Sequence, residues 1–213
     1  MTPEEYSHQL TAAQRQLGKM SPMMRRLIRA HGDCTLSPRW RQSPYQALVR
    51  AVIYQQLTGL VAGKILDRFV VQLSSTGKFP AHGEILVASD EQLRSAGLSR
   101  QKTSYLKAIA QETATGRIPN KRSALAKLSD EDIISQFTRV RGVGRWTAEM
   151  LLIFTLGRLD VLPVDDYGVR KGFSHAAGLE TMVTAKDLKQ FGAQWSPYRS
   201  VAAWYLWREA DIH

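Results

Sequence analysis

Two glycines separated by a single residue, Gly142 and Gly144, interrupt a stretch of helical periodicity in the second half of the chain. The apolar residues before them recur at helical spacing: Ile133, Ile134, Phe137 and Val140. In the stretch 146–156 only Glu149 carries a charge, which predicts a second helix that runs through the protein interior. Because glycine adopts positive φ without strain, the pair predicts a tight turn, with the second helix beginning near Arg145.

Helix-start signals recur along the rest of the chain, whereas strand signals are rare. Serine can accept from the free amides of a first helical turn, and proline at the next position loses no helical hydrogen bond. Four Ser-Pro pairs therefore mark candidate helix starts: Ser21-Pro22, Ser37-Pro38, Ser43-Pro44 and Ser196-Pro197. Ser43 with Gln46, and Ser129 with Asp132, resemble capping boxes. The sequence predicts an all-α fold with about ten helices.

The composition excludes several classes of protein. Among 213 residues, Lys and Arg outnumber Asp and Glu by 29 to 19, and a net charge of +10 favours polyanionic partners. Cys34 is the sole cysteine, which excludes an intramolecular disulfide, a cysteine-ligated zinc site and an iron–sulfur cluster. No run approaches ~20 apolar residues, so no membrane span is expected. The N-terminus is acidic rather than signal-like, so we expect a cytoplasmic (nucleoid) location in a bacterium or a nuclear one in a eukaryote.

The glycine turn also predicts an anion site. The N–H groups of the turn and of the first helical positions attract a phosphate, and Arg141 and Arg145 flank them. The candidate phosphate-binding residues of this segment are Arg141, Gly142, Val143, Gly144, Arg145 and Thr147. A plain helix–helix turn is the alternative. A dinucleotide-binding fingerprint fits worse because position 147 is threonine and a helix precedes the glycines, and a P-loop is excluded because no Gly-Lys-Ser/Thr ending follows.

Two adjacent carboxylates, Asp165 and Asp166, follow the rigid apolar segment Leu162-Pro163-Val164. At a helix start, one of them is expected to cap the helix and to favour its dipole. The pKa of the other is open to tuning by burial and by its neighbour. Such a carboxylate beside a sugar C1′ can stabilise an oxocarbenium-like transition state and orient a water molecule.

Aromatic residues cluster near the same segments. Trp146 and Tyr198 each lie at a predicted helix start beside a functional turn, so we take them as candidate walls of a base pocket. Aromatic faces stack on an extruded base, and a cationic base gains a cation–π contribution. Trp204 and Trp207, three residues apart, are interpreted as core packing.

Four ordered blocks together resemble the helix-hairpin-helix DNA glycosylase superfamily, most closely its 3-methyladenine DNA glycosylase II branch. The blocks are Arg50-Ala-Val-Ile-Tyr-Gln-Gln-Leu57, Arg141-Gly-Val-Gly-Arg-Trp-Thr-Ala148, Asp160-Val161 leading into Pro163-Val-Asp-Asp-Tyr-Gly-Val169, and Trp195-Ser-Pro-Tyr-Arg-Ser200. The resemblance implies one compact two-lobed helical protein with its active-site cleft between the lobes. The middle lobe would span about 46–160, and segments 1–45 and 161–213 would form the second.

The resemblance also implies roles for individual residues. Asp166 falls on the catalytic aspartate, with Asp165 as the alternative and otherwise as the helix cap. Trp146 stands where the bifunctional relatives carry a lysine nucleophile. Because tryptophan cannot form a Schiff base, a monofunctional enzyme is expected. Leu57 matches the wedge that fills the gap left by a flipped nucleotide, although a core leucine is an equally good interpretation, and Gln56 would face the opposing strand.

Main-chain carbonyls of the family's hairpin hold an alkali-metal ion, which places a structural Na⁺ or K⁺ on Thr138, Val140 and Val143. No other cofactor is implied.

The implied function is excision of alkylated purines, of the 3-methyladenine and 7-methylguanine type, from double-stranded DNA by a monomeric hydrolase that initiates base excision repair. A non-catalytic helix-hairpin-helix DNA-binding protein, a glycosylase for other damaged bases and a basic helical adaptor are the alternatives.

Overall fold

The computed structural model describes residues 2–74 and 76–212, and within them the regular structure is entirely helical. The twelve α-helices of the described part are α1 (Pro3–Met20), α2 (Pro22–His31), α3 (Pro44–Tyr54), α4 (Gly59–Leu73), α5 (His82–Val87), α6 (Asp90–Ser95), α7 (Arg100–Ala114), α8 (Asp130–Phe137), α9 (Arg145–Leu151), α10 (Tyr167–Ala176), α11 (Ala185–Gly192) and α12 (Arg199–Ile212). Short 3₁₀ helices cover Arg122–Leu125 and Ala193–Trp195, and a π-helix covers Leu152–Leu156. The predicted all-α fold is confirmed.

Two of the four Ser-Pro pairs begin helices as predicted. The hydroxyl of Ser21 caps α2, and Ser43 forms a complete capping box with Gln46 at the start of α3. The prediction is wrong for Ser37 and Ser196. Residue 37 lies in an irregular link between α2 and α3. The Ser196 hydroxyl donates to Asp160 at 2.8 Å, and α12 begins only at Arg199.

The chain divides into two compact units, with Arg41–Leu151 in one and the segments up to Trp40 and from Leu152 in the other. In the Arg41–Leu151 unit, α3 is the central element, because its apolar face packs against both α7 and α9. Leu48, Val49, Val52 and Ile53 of this helix are fully buried. Its C-terminal end is therefore fixed beside the N-terminal ends of α7 and α9.

The unit formed by the two terminal segments centres on α10 and α12, which pack closely against each other. A Cβ at Gly172 of α10 would overlap the main-chain carbonyl of Leu206 on α12, so glycine is required for the two backbones to approach this closely. Helix α2 packs on the same α12, and α1 packs on α2. The close contact fixes the residues of α12 relative to the first turn of α10.

In the described part of the chain, no helix has the length and apolar character needed to cross a lipid bilayer.

Candidate active site

The predicted glycine turn connects α8 to α9. Helix α8 ends at Phe137, after which Val140 N–H donates to Phe137 O at 2.9 Å and Val143 N–H donates to Val140 O at 3.0 Å. These two bonds fold residues 138–144 into a compact hairpin. Gly142 has φ +88°, and a side chain there would overlap the ring of Tyr105, which lies beneath the turn. Glycine is therefore required at this position for two independent reasons.

Gly144 plays a different part from the one predicted. Its φ is not positive, so the expectation that both glycines provide a left-handed turn holds for Gly142 alone. Apart from its two chain neighbours, no residue lies within 4 Å of a Cβ built on Gly144, and its carbonyl accepts the first helical bond of α9, from Ala148 N–H at 3.2 Å. The amides of a first helical turn have no acceptor in their own helix. The hairpin thus presents open backbone at a helix N-terminus, the arrangement that suits an anion.

The two arginines of the hairpin differ in their surroundings. Arg141 is exposed. The guanidinium of Arg145 forms ion pairs with Glu149, at 3.0 Å from Nε, and with Glu131, at 2.5 Å from Nη2. The hydrogen bond to Glu131 raises the pKa of Arg145. A phosphate at this turn would compete with the two carboxylates for Arg145, whereas the sequence predicts a cation that is available there.

The turn between α3 and α4 carries Gln55, Gln56 and Leu57. Gln56 has φ +57°, the sole positive φ of a non-glycine residue in segments 2–74 and 76–212. Leu57 is 38% exposed, which is inconsistent with a core leucine. Nε2 of Gln55 donates to Gly142 O at 3.1 Å and to Oγ1 of Thr147 at 3.0 Å. This link between the turn and the hairpin was not predicted, since residues 87 and 92 positions apart share no sequence pattern.

A concavity of about 520 Å³ lies against the hairpin within the same unit. It is lined by residues 138–144, by Gln55 and Gln56, and by four residues from the start of α7: Ser99, Gln101, Lys102 and Tyr105. Polar and cationic groups dominate this lining. It contains Thr138, Val140 and Val143, the three residues predicted to offer carbonyl ligands.

Asp166 is the N-cap of α10. Its Oδ1 accepts from the Val169 amide at 2.9 Å and from the indole Nε1–H of Trp207 at 2.9 Å. Asp165 is exposed. The prediction that Asp165 caps the helix is wrong. Asp166 N–H donates to Pro163 O, and the resulting turn places Asp166 next to the first free amides of the helix. Asp166, the aspartate that the resemblance favours for catalysis, is therefore also the helix cap.

Trp207 is the main residue that sequence reasoning misplaced. It was interpreted as core packing, yet it is half-buried, and its indole N–H contacts Asp166 while its ring lies 5.5 Å from that of Phe154. A tryptophan N–H that is removed from water on folding requires a hydrogen-bond acceptor. This requirement is the one sequence signal that could have predicted a polar partner for Trp207. Trp204, by contrast, contacts Tyr205 and Arg208 on its own helix.

Tyr198 is half-buried directly before α12, and its carbonyl accepts the amide of Ala202 at 3.1 Å. An ionic clamp holds the segment around it. Asp160 accepts from Arg199 Nε at 2.7 Å, from Arg199 Nη2 at 2.9 Å and from the Ser196 hydroxyl at 2.8 Å. Burial opposes ionisation of Asp160, but the hydrogen bonds from Arg199 and Ser196 outweigh it, so the pKa of this carboxyl lies below its ordinary value.

Trp146, the other predicted pocket aromatic, is half-buried in the first turn of α9.

Residues 49–197 match the family model described as HhH-GPD superfamily base excision DNA repair protein. The match includes the α3–α4 turn, the hairpin, both aspartates and the Asp160–Ser196 contact. The chain belongs to the HhH-GPD superfamily. The family predicted from the sequence blocks is therefore confirmed.

Relatives within the HhH-GPD superfamily match over nearly their whole length. DNA-3-methyladenine glycosylase 1 of Schizosaccharomyces pombe is 37% identical over 210 residues, which cover 98% of this chain and 91% of that protein. The alkylbase DNA glycosidase-like protein mag2 of the same yeast is 32% identical, with 94% of each chain covered. The structure of S. pombe 3-methyladenine DNA glycosylase in complex with abasic DNA superimposes with a TM-score of 0.87 at 37% identity, over 92% of this chain and 95% of that one.

Proposed function

We propose that the protein is a monofunctional DNA glycosylase that excises alkylated purines, of the 3-methyladenine and 7-methylguanine type, from double-stranded DNA. The observation that carries the proposal is the Asp166 carboxylate, which two N–H donors hold at the start of α10 in a chain of this superfamily. The names of the two yeast relatives and the abasic DNA bound to the similar structure support the substrate class.

In this proposal the hairpin anchors the DNA. The backbone N–H groups from Gly142 to Thr147 bind a phosphate, assisted by Arg141 and by Arg145 once it exchanges Glu131 for the phosphate. Leu57 enters the base stack from the minor groove and fills the space of the flipped nucleotide, with Gln56 against the opposing strand. The exposure of Leu57 and the open face of Gly144 support these roles.

The chemistry is a hydrolysis at C1′. The bond from C1′ to the purine nitrogen breaks with its electron pair leaving on the base, and the sugar develops oxocarbenium character. The anionic Asp166 stabilises that charge and orients a water molecule, whose oxygen forms the new bond to C1′ while its proton passes to the carboxylate or to solvent. Alkylation at N3 or N7 makes the base a cationic leaving group, so no general acid is needed. Trp146 and Tyr198 stack on the base.

No cofactor is required for this hydrolysis, because no redox or covalent step occurs, and Trp146 in place of a lysine removes the Schiff-base route to strand cleavage. A structural Na⁺ or K⁺ would be held by the carbonyls of Thr138, Val140 and Val143. The donor set fits a hard monovalent cation, since all three groups are neutral oxygens on one turn fixed by the Val143 N–H to Val140 O bond. The enzyme would act as a monomer at the nucleoid or in the nucleus.

The proposal is tested by release of free 3-methyladenine and 7-methylguanine from methylated duplex DNA. The wild type, Asp166→Asn and Asp165→Asn are compared at equal occupancy of DNA. We expect release by the wild type and by Asp165→Asn, and none by Asp166→Asn. If Asp165→Asn alone abolishes release, the catalytic role moves to Asp165. If duplex binding is intact but the wild type releases neither base, the function is instead non-catalytic DNA binding or excision of another lesion.

A further inference from the structure

The side chain of Gln55 is hydrogen-bonded to both ends of the segment from Gly142 to Thr147. Its one amide nitrogen reaches Gly142 O at 3.1 Å, at the left-handed residue of the turn, and the hydroxyl of Thr147 at 3.0 Å, in the first turn of α9. Thr147 is only 1% exposed, so the second contact lies in the protein interior. Gln55 therefore fixes the turn and the helix N-terminus that the turn presents.

Lys102 of α7 is hydrogen-bonded to the main chain of Gln55. Its Nζ donates to Gln55 O at 2.8 Å and to Ile53 O at 2.9 Å. Both carbonyls belong to the C-terminal end of α3, where helices leave acceptors unsatisfied and carry partial negative charge. The side chain is half-buried, and burial lowers the pKa of its ammonium group. This half-buried ammonium group thus binds the last carbonyls of α3, at the point where the following turn begins.

The turn that begins there carries the predicted wedge. Gln56 adopts φ +57°, a conformation that costs a non-glycine residue free energy and persists where the surroundings impose it. Leu57 N–H then donates to Tyr54 O at 3.3 Å. The bonds from Lys102 and Gln55 precede this strained residue directly. The side chain of Gln55 is thus hydrogen-bonded to the hairpin, and its main chain, held by Lys102, leads within two residues to Leu57.

We propose that Lys102 and Gln55 are positioning residues that together set the spacing between the Leu57 wedge and the phosphate-binding hairpin. The inference rests on the proposed function, in which both features engage one DNA duplex. Duplex geometry fixes the distance from a flipped nucleotide to the phosphate that the hairpin binds. A protein whose two contacts are held at that distance before binding loses less entropy on engaging both. Neither residue touches DNA in this role.

The experiment compares two affinities for each variant: for an intact duplex and for the same duplex with a tetrahydrofuran abasic analogue, by fluorescence anisotropy at fixed salt. The intact duplex requires the hairpin alone, whereas preference for the analogue requires the wedge. Lys102→Met and Gln55→Glu are each expected to lower this preference about tenfold, because each removes donors from the same link. The double variant should lose no more than the more affected single variant, since the two residues act in series.

Lys107→Met is the matched control. It removes the same charge from the same helix, and Lys107 pairs with Asp90 on the surface. Its preference for the analogue should equal that of the wild type. Thermal unfolding of each variant separates lost positioning from lost folding. If Lys102→Met unfolds below the assay temperature, Gln55→Glu, at a half-buried position, carries the test alone.

An unchanged preference in Gln55→Glu would overturn the inference, and so would losses that multiply in the double variant. A wild type that shows no preference for the analogue would overturn it as well. A wild type that prefers the analogue but releases no methylated purine leaves the inference standing while the proposed excision activity fails.

Discussion

Trp207 donates its indole N–H to Oδ1 of Asp166 at 2.9 Å, across the contact between α12 and α10. The same oxygen accepts from the Val169 amide in the first turn of α10. Two donors of fixed direction therefore orient one carboxylate. In the proposed mechanism, a carboxylate of fixed orientation meets the positive charge that develops at C1′ without first reorganising.

Trp207→Phe is expected to lower the single-turnover rate of methylpurine excision by about tenfold or more. A hydrogen bond to a charged group contributes about 1.5–3 kcal/mol, whereas phenylalanine preserves the ring contact with Phe154. The affinity for intact duplex DNA should be unchanged. Trp204→Phe on the same helix is the control and should excise at the wild-type rate. Equal losses in both variants would assign Trp207 to packing alone.

Substitutions of Asp166 should separate its structural role from its chemical one. Alanine removes the N-cap of α10 and should lower the free energy of unfolding by about 1 kcal/mol. Asparagine keeps an acceptor for the Val169 amide, so Asp166→Asn should unfold at nearly the wild-type denaturant concentration while excision is lost. Urea denaturation of the two variants measures the difference. Equal destabilisation by both would show that the charge, rather than the acceptor, stabilises the helix start.

The two hairpin glycines should respond to alanine in opposite ways. At Gly142, with φ +88° and Tyr105 beneath, alanine should cost at least about 2 kcal/mol of folding free energy from backbone strain and overlap. At Gly144 the space is open, so stability should be unchanged. A methyl group there stands between the backbone and a phosphate, and duplex affinity should fall about tenfold. Normal DNA binding by Gly144→Ala would place the phosphate elsewhere.

The clamp between Asp160 and Arg199 predicts a specific dependence of stability on pH. The folded pKa of Asp160 lies below its ordinary value of 3.8, so its contribution is fully present above that value and disappears as the pH falls through the folded pKa. Asp160→Asn should therefore be less stable than the wild type at pH 7, with a gap that closes below pH 3.8. Urea unfolding of both proteins from pH 7 to below pH 3.8 measures whether this difference in stability disappears. A gap that stays constant with pH would show that the carboxylate does not titrate through this clamp.

Local chemistry determined much of the fold. The Ser43–Gln46 capping box and Ser21 begin helices where the sequence predicted, because a cap is made by residues three positions apart. The turn at Gly142 follows from the backbone freedom of one residue, and the helical spacing before it follows from burial of one face. The four ordered blocks predicted the superfamily, and the match of residues 49–197 to its family model confirms that prediction.

The tertiary structure alone decided which groups meet. Trp207 lies 41 residues from Asp166, and Gln55 lies 87 from Gly142, so no periodicity connects either pair. The turn at Pro163 gave the cap to Asp166 rather than Asp165, and two carboxylates engaged Arg145. Sequence specifies local conformation through short-range hydrogen bonds and sterics. Contacts between distant residues depend on how helices pack, which is set by the summed burial of many side chains rather than by any one motif.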